Sequence, residues 1–265
     1  PAASYFQKDD SMKSQQHRID AALMAARKCF ADRFNGASHM FVAGSIMRGE
    51  GNELSDIDLV VIYPKLPRAW RESFIVDDFP VEAFVHDPET LAYFFQGDVD
   101  SGAPIIVHMV ANGVLISQAP RAAKNLQEQA RSILAQGPKK LSGERYNTMR
   151  YFLSDLVDDL RAERPLDEIA ALSAMIYPRL IDLILLGRNQ WTGKGKWGAR
   201  LLRRIDPEIA CVATKAFAEA VQGDTTALLT LAEQVLDQHG GRYLDGYRVE
   251  APVHARISGA GTGTP

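Results

Sequence analysis

Three carboxylates and a glycine-serine pair are the residues of this chain whose types and spacing can do chemistry. Asp56 and Asp58 stand at the start of the apolar run Ile57 to Tyr63. Side chains alternate along a strand, so Asp56, Asp58, Val60 and Ile62 share one face of it. The two carboxylates then point the same way, about 7 Å apart at the backbone. Alone, an Asp-x-Asp at a strand start is weak evidence, because carboxylates at loop ends commonly sit in solvent. Its neighbours strengthen it. Gly44-Ser45 ends another short apolar run, Met40 to Ala43, and a tight turn there exposes backbone N–H groups and a hydroxyl as a nest suited to a triphosphate. Glu82 lies in a third run, Val81 to Val85, where it shares a face with Phe84 and where strand pairing can set it beside the aspartates.

Three carboxylates gathered in an apolar sheet repel one another, which is costly unless cations compensate them. Hard oxygen donors together with phosphate oxygens suit Mg²⁺. Two such ions activate an attacking hydroxyl and stabilise a departing pyrophosphate.

The elements that must position these groups follow from periodicity. Ile19, Leu23, Ala26, Phe30 and Phe34 recur at helical spacing from His17 to Phe34, and Asn35-Gly36 stops that helix. After the three strand runs, Pro88-Glu89-Thr90-Leu91 opens helical sequence that continues to Ala111 with a break expected at Gly97. Val114 to Ile116 returns as an edge strand, and Pro120 begins another helix. Gln136-Gly137-Pro138-Lys139-Lys140 is the best domain boundary. Beyond it Tyr146 to Ala162, Leu166 to Leu186, Lys196 to Arg204, Pro207 to Gln222 and Thr225 to His239 are all helical in pattern. The expected fold is an α/β N-terminal domain with a small mixed sheet (residues 1–137) and a C-terminal all-α helical bundle (residues 138–257), with the site in the cleft between them. Residues 258–265, rich in Gly, Ala and Thr, read as a disordered tail.

Gly44-Ser45-Ile46-Met47-Arg48-Gly49 followed by Ser55-Asp56-Ile57-Asp58-Leu59-Val60-Val61 resembles the signature of the polymerase-β-like nucleotidyltransferase superfamily. The likeness covers about fifty residues with order and spacing intact, and the helical half is similar, more loosely, to that of aminoglycoside nucleotidyltransferases. The resemblance implies an enzyme in which Gly44 and Ser45 hold NTP phosphates, Asp56 and Asp58 ligate two Mg²⁺ ions, and Glu82 is the third acid. A Glu in this place is similar to small-molecule adenylyltransferases, where it also serves as general base for the acceptor hydroxyl. Arg48 either reaches phosphate or pairs with Glu50 or Glu53. Ser55 either joins the site or binds backbone locally. Trp191-Thr192-Gly193-Lys194-Gly195-Lys196-Trp197 resembles the place where related antibiotic-modifying enzymes carry a phosphate-binding lysine; Lys196 is the first choice and Lys194 the second, against a plain solvated loop. It is not a Walker A loop, since no Ser or Thr follows the lysine.

Bulk properties narrow the classes. Thirty Lys and Arg against 33 Asp and Glu give a net charge of −3 with no basic stripe, which disfavours nucleic acid as a partner. Cys29 and Cys211 lie too far apart for a zinc or redox pair and read as two buried thiols of a reducing cytosol. No apolar run approaches the roughly 20 residues that span a bilayer, and Pro-Ala-Ala-Ser-Tyr does not resemble a leader, so a cytoplasmic protein without a membrane partner is expected. His86 and His108 lack ligand spacing and read as core or boundary residues. Asp155, Asp158, Asp159 and Glu163 crowd one helix, answered by a polycationic acceptor, by Arg161 and Arg164, or by solvent. The leading expectation is transfer of AMP from ATP to a hydroxyl of a small molecule, such as an aminoglycoside-like antibiotic. The rivals are a protein-AMPylating enzyme of antitoxin type and a non-catalytic nucleotide-binding or dimerisation module. A homodimer is the default assembly.

Overall fold

The structure, a computed structural model, describes residues 2–252 and Ala255, with side chains from Gln15 onward. The tail expected at residues 258–265 lies outside the described residues. The apolar runs of the first half form β1 (His39–Ala43), β2 (Ile57–Ile62), β4 (Phe79–His86) and β5 (Val114–Ser117), joined by one strand that the apolar pattern does not reveal, β3 (Trp70–Val76). The sheet order is β3-β4-β2-β1-β5. It is mixed, because β2 and β4 run parallel while the other neighbours are antiparallel. β3 and β4 form a hairpin across Asp77 and Asp78, whose φ of 46° and 64° is the left-handed pair that a two-residue turn between twisted strands requires.

The sheet is covered on both faces. Leu59 and Val61 with Met40, Val42 and Val85 pack against Ala22, Ala25, Ala26 and Cys29 of α1 (Ala2–Asp32). Phe41, Val60 and Ile62 pack beneath α2 (Pro88–Ser101), α3 (Ile105–Asn112) and α4 (Pro120–Gln136), through Leu91, Phe95, Val107, Val110 and Ala130. Asp58 therefore sits on the α2–α4 face, the face of Val60 and Ile62. The expected break at Gly97 does not occur. Helix α2 passes through Gly97 and ends at Gly102, whose φ of 78° makes the left-handed cap, with Pro104 behind it. One interior glycine costs about 1 kcal/mol, too little to end a helix whose apolar face is buried.

The chain divides into two compact units: one runs up to Lys140 and includes Arg188–Ile205, and the other holds Leu141–Gly187 and the chain from Asp206. The second unit is a bundle of α5 (Gly143–Arg161), α6 (Leu166–Gly187), α8 (Pro207–Ala220) and α9 (Thr226–Gln238). Within it α5 packs on α6, α8 on α9, α5 on α9 and α6 on α8. Helix α6 is, among the described residues, the one helix long and apolar enough to cross a membrane, and Ile176, Leu180, Leu183 and Ile184 use that apolarity in the bundle core. Cys211 is exposed, against the expectation of two buried thiols, because α8 buries Ala210, Ala213, Ala216 and Ala220, a stripe that passes Cys211 by. Helix α7 (Lys196–Ile205) and the loop before it, assigned by sequence to the helical domain, belong to the first unit. They are fastened there by Thr192 N–H donating to Gly102 O at 2.8 Å and by Trp191 Nε1–H donating to Leu134 O at 2.9 Å.

Candidate active site

Parallel pairing of β2 and β4 sets Asp58 directly opposite Glu82 on one face, and Asp56 stands one residue before β2. One oxygen from each of Asp56, Asp58 and Glu82 lies within 4.8 Å of the others. Burial first, and then the Asp56 and Glu82 carboxylates, push the Asp58 carboxyl up to about 6. Such a shift records unrelieved repulsion in a partly dry place. Glu82 has a cation of its own: Arg71, from the edge strand β3, pairs with its Oε1, and the same guanidinium lies 5.0 Å from the centre of the Phe84 ring.

The turn after β1 is built around these acids. Gly44 has a φ of 99°, and a Cβ there would meet Asp58 Oδ2 at 3.0 Å and Asp56 O at 3.3 Å. Only glycine lets the backbone pass so close. Ser45 begins the 3₁₀ turn Ile46–Arg48; its carbonyl accepts from Arg48 N at 3.2 Å and Glu50 N at 2.9 Å, and its hydroxyl makes no capping bond. Ser55 is engaged within its own turn, its Oγ accepting from Asn52 N–H at 2.9 Å, which is the local alternative for that residue. Arg48 pairs with Glu50 at 3.1 Å and lies 4.7 Å from the Trp197 ring centre.

A cavity of about 230 Å³ opens at the acids, with Gly44, Asp58 and Glu82 in its lining. Its apolar wall includes Phe84, Ile105, Met109 and Trp197, and its cations are Arg48, Lys194 and Arg204. Every lining residue belongs to the first unit, where the sequence led us to expect a cleft between two domains. Lys194 lines the cavity; Lys196, the sequence's first choice, is exposed at the start of α7 and does not. His108 is in the wall, and burial together with Arg48 and Arg204 holds its imidazole below the ordinary value, so it is neutral at neutral pH. Arg71, His108 and Arg204 were not found from sequence. Arg71 lies on the unrecognised strand. Trp197, Arg200, Leu201 and Arg204 do share one helical face by spacing, a signal that marks the face and not what it meets.

Residues 23–139 match the family model described as nucleotidyltransferase domain, a span that holds the Gly44 turn and all three acids. The chain thus has an N-terminal nucleotidyltransferase domain with a five-stranded mixed sheet, followed by a helical region. Among solved structures it is similar to a nucleotidyltransferase-like protein from Exiguobacterium sibiricum 255-15, with 13% identity, a TM-score of 0.45, and coverage of 81% of this chain and 74% of that one. No curated protein matches it.

Proposed function

We propose that the protein is a Mg²⁺-dependent transferase that moves a nucleoside monophosphate, AMP from ATP, to a hydroxyl of a small molecule and releases pyrophosphate. The observation that carries this reading is the meeting of Asp56, Asp58 and Glu82 within 4.8 Å, beside a turn where a Cβ on Gly44 would crowd Asp58. The donor set fits the metal: three hard carboxylates, one of them pushed up to about 6 by burial and then by the other two, gain most from a divalent cation. Asp56, Asp58 and Glu82 would hold two Mg²⁺ ions, which when bound make the acceptor hydroxyl a better nucleophile and neutralise charge on the leaving phosphates.

The chain's own groups do the rest. The Gly44-Ser45 turn offers backbone N–H groups and the Ser45 hydroxyl to phosphate oxygens. Arg48, Lys194 and Arg204 supply the positive charge that a triphosphate in this cavity requires. Arg71 engages Oε1 of Glu82, which steadies the carboxylate and leaves Oε2 as the oxygen it would offer to the metal. Phe84, Ile105, Met109 and Trp197 exclude water and favour an apolar or planar portion of the ligand. Among the described residues, Asp58 and Glu82 are the only carboxylates in the lining, so a polycationic aminoglycoside finds no counter-charge there beyond the metal-binding acids. A neutral or anionic hydroxylated acceptor suits the cavity better. With ATP and Mg²⁺ as reactants, the reaction belongs to the cytoplasm.

Calorimetric titration with a non-hydrolysable ATP analogue, with and without Mg²⁺, tests the reading. Mg²⁺ is expected to tighten binding to the natural protein, and Asp56→Asn to abolish that gain; pyrophosphate release is then screened with aminoglycosides and uncharged polyols side by side. Absence of metal-dependent binding of any of the four NTP analogues would overturn it.

A further inference from the structure

Next to the candidate site lies a second cavity, of about 440 Å³, lined among the described residues by four charged side chains: Glu50, Arg200, Arg203 and Arg204. It shares Arg204 with the first cavity. The Glu50 carboxylate is surrounded by cations, 3.1 Å from Arg48 Nε, 3.8 Å from Arg200 Nη1 and 3.8 Å from Arg204 Nη2. The Arg48 bond holds the Glu50 carboxyl below the usual carboxylate range, so it is ionised at neutral pH. Arg200 and Arg204 stand four apart on α7, a like-charge spacing that opposes helix formation unless an anion sits between them. Arg200 Nη1 is buried and makes no hydrogen bond to any described residue. Among the described residues, three guanidinium groups against one carboxylate leave the lining two positive charges in surplus, which is the charge of one phosphate dianion. The guanidinium forks match phosphate oxygens in geometry as well as in sign.

We propose that the cavity lined by Glu50, Arg200, Arg203 and Arg204 is a phosphate site separate from the three acids, in which the Glu50 carboxylate is the resident competitor for the incoming anion. Because Arg204 belongs to both cavities, the phosphate is carried by a molecule that also reaches the first cavity. Two sources offer that chemistry, the terminal phosphates of the nucleotide and a phosphate group on the acceptor. The site needs neither the metal nor the acids, so it stands or falls apart from the transfer reaction.

The experiment is calorimetric titration of inorganic pyrophosphate in EDTA, on the natural protein, on Glu50→Gln and on Arg203→Met. Glu50 and Arg203 are exposed; glutamine keeps the shape of Glu50, and methionine keeps the aliphatic stem of Arg203 without its charge. Removing the competing charge should tighten pyrophosphate about fivefold, and removing Arg203 should weaken it by a similar factor, given the attraction of partly solvated charges a few ångströms apart. Binding that Glu50→Gln leaves unchanged or weakens, or that Arg203→Met leaves unchanged, would overturn the proposal, as would no binding at all. Displacement of pyrophosphate by the metal-free ATP analogue assigns the phosphate to the nucleotide. Displacement by glucose 6-phosphate and not by glucose assigns it to the acceptor, and failure of both compounds refutes a ligand that reaches across the two cavities.

Discussion

On α5 the chain answers its own acids. Arg161 and Arg242 both pair with Asp158, Arg164 lies 2.9 Å from Asp159, and Arg161 also holds Glu233 at 2.6 Å. In the sheet, one oxygen from each of Asp56, Asp58 and Glu82 lies within 4.8 Å of the others, yet among the described residues Arg71 on Glu82 is the one cation paired with them. The difference is that acids on an exposed helix face are open to long arginines from the helix and from the chain beyond it, whereas the strand register presses Asp58 against Glu82 in a place where burial already disfavours charge. A cluster that folding leaves uncompensated is built for a cation from outside.

The sharpest way to break this comparison is to neutralise one acid in each group. Asp58→Asn should lower turnover by about 10³-fold, several kcal/mol of transition-state stabilisation, while leaving the metal-free protein as stable as before or more so. Asp158→Asn should leave turnover unchanged. Equal losses in the two variants, measured as pyrophosphate release, would remove the distinction between the groups.

A smaller effect concerns pH. The folded pKa of Asp58, about 6, lies above its ordinary 3.8, so protonation favours the folded state. The penalty of ionising Asp58 is complete above pH 6 and vanishes below about pH 4, and stability therefore rises as pH falls through that window. Urea unfolding of the metal-free protein should show a gain of about 2 kcal/mol from this group between pH 7 and pH 4. Burial pushes Asp98 to about 6 as well. Only the part of the slope missing from Asp58→Asn belongs to Asp58, and an identical slope in that variant would place the repulsion elsewhere.

The smallest effect sharpens the comparison further. Arg71 and Arg242 each pair with a partly exposed acid, and Arg71→Met or Arg242→Met should cost under about 1 kcal/mol of stability in EDTA. Added Mg²⁺ should restore the first and not the second. Thermal melts with and without the metal read this directly, and equal recovery of both would mean that the metal acts on the fold at large.

Much of this site was legible in the residues. Strand period alone put Asp56 and Asp58 on one face, and the only further assumption, that the Val81 to Val85 run pairs with the first, is met in the register Asp58 to Glu82. Strand β3 escaped notice because Trp70–Val76 is an edge strand with charged and exposed positions throughout its first half, which leaves no continuous apolar run. Arg71 escaped with it. Gly97 and Gly102 look equally able to end a helix, and the structure chose the one followed by Pro104. Lys194 and Lys196 differ by two positions in a loop without periodicity, so only the path of the backbone could say which faces the cavity.

By itself the sequence determined the identity of most elements, the face on which each acid lies, and the turn at Gly44-Ser45. Those properties are set by local backbone geometry and by the alternation of apolar and polar side chains. The tertiary structure decided that α7 joins the sheet unit and not the helical one, and so that Lys194, Trp197 and Arg204 stand around Asp58 and Glu82. The physical reason is that a helical pattern states which face must be buried but not against what. That choice rests on bonds such as Thr192 N–H to Gly102 O and Trp191 Nε1–H to Leu134 O, between residues far apart in the chain, which no local pattern records.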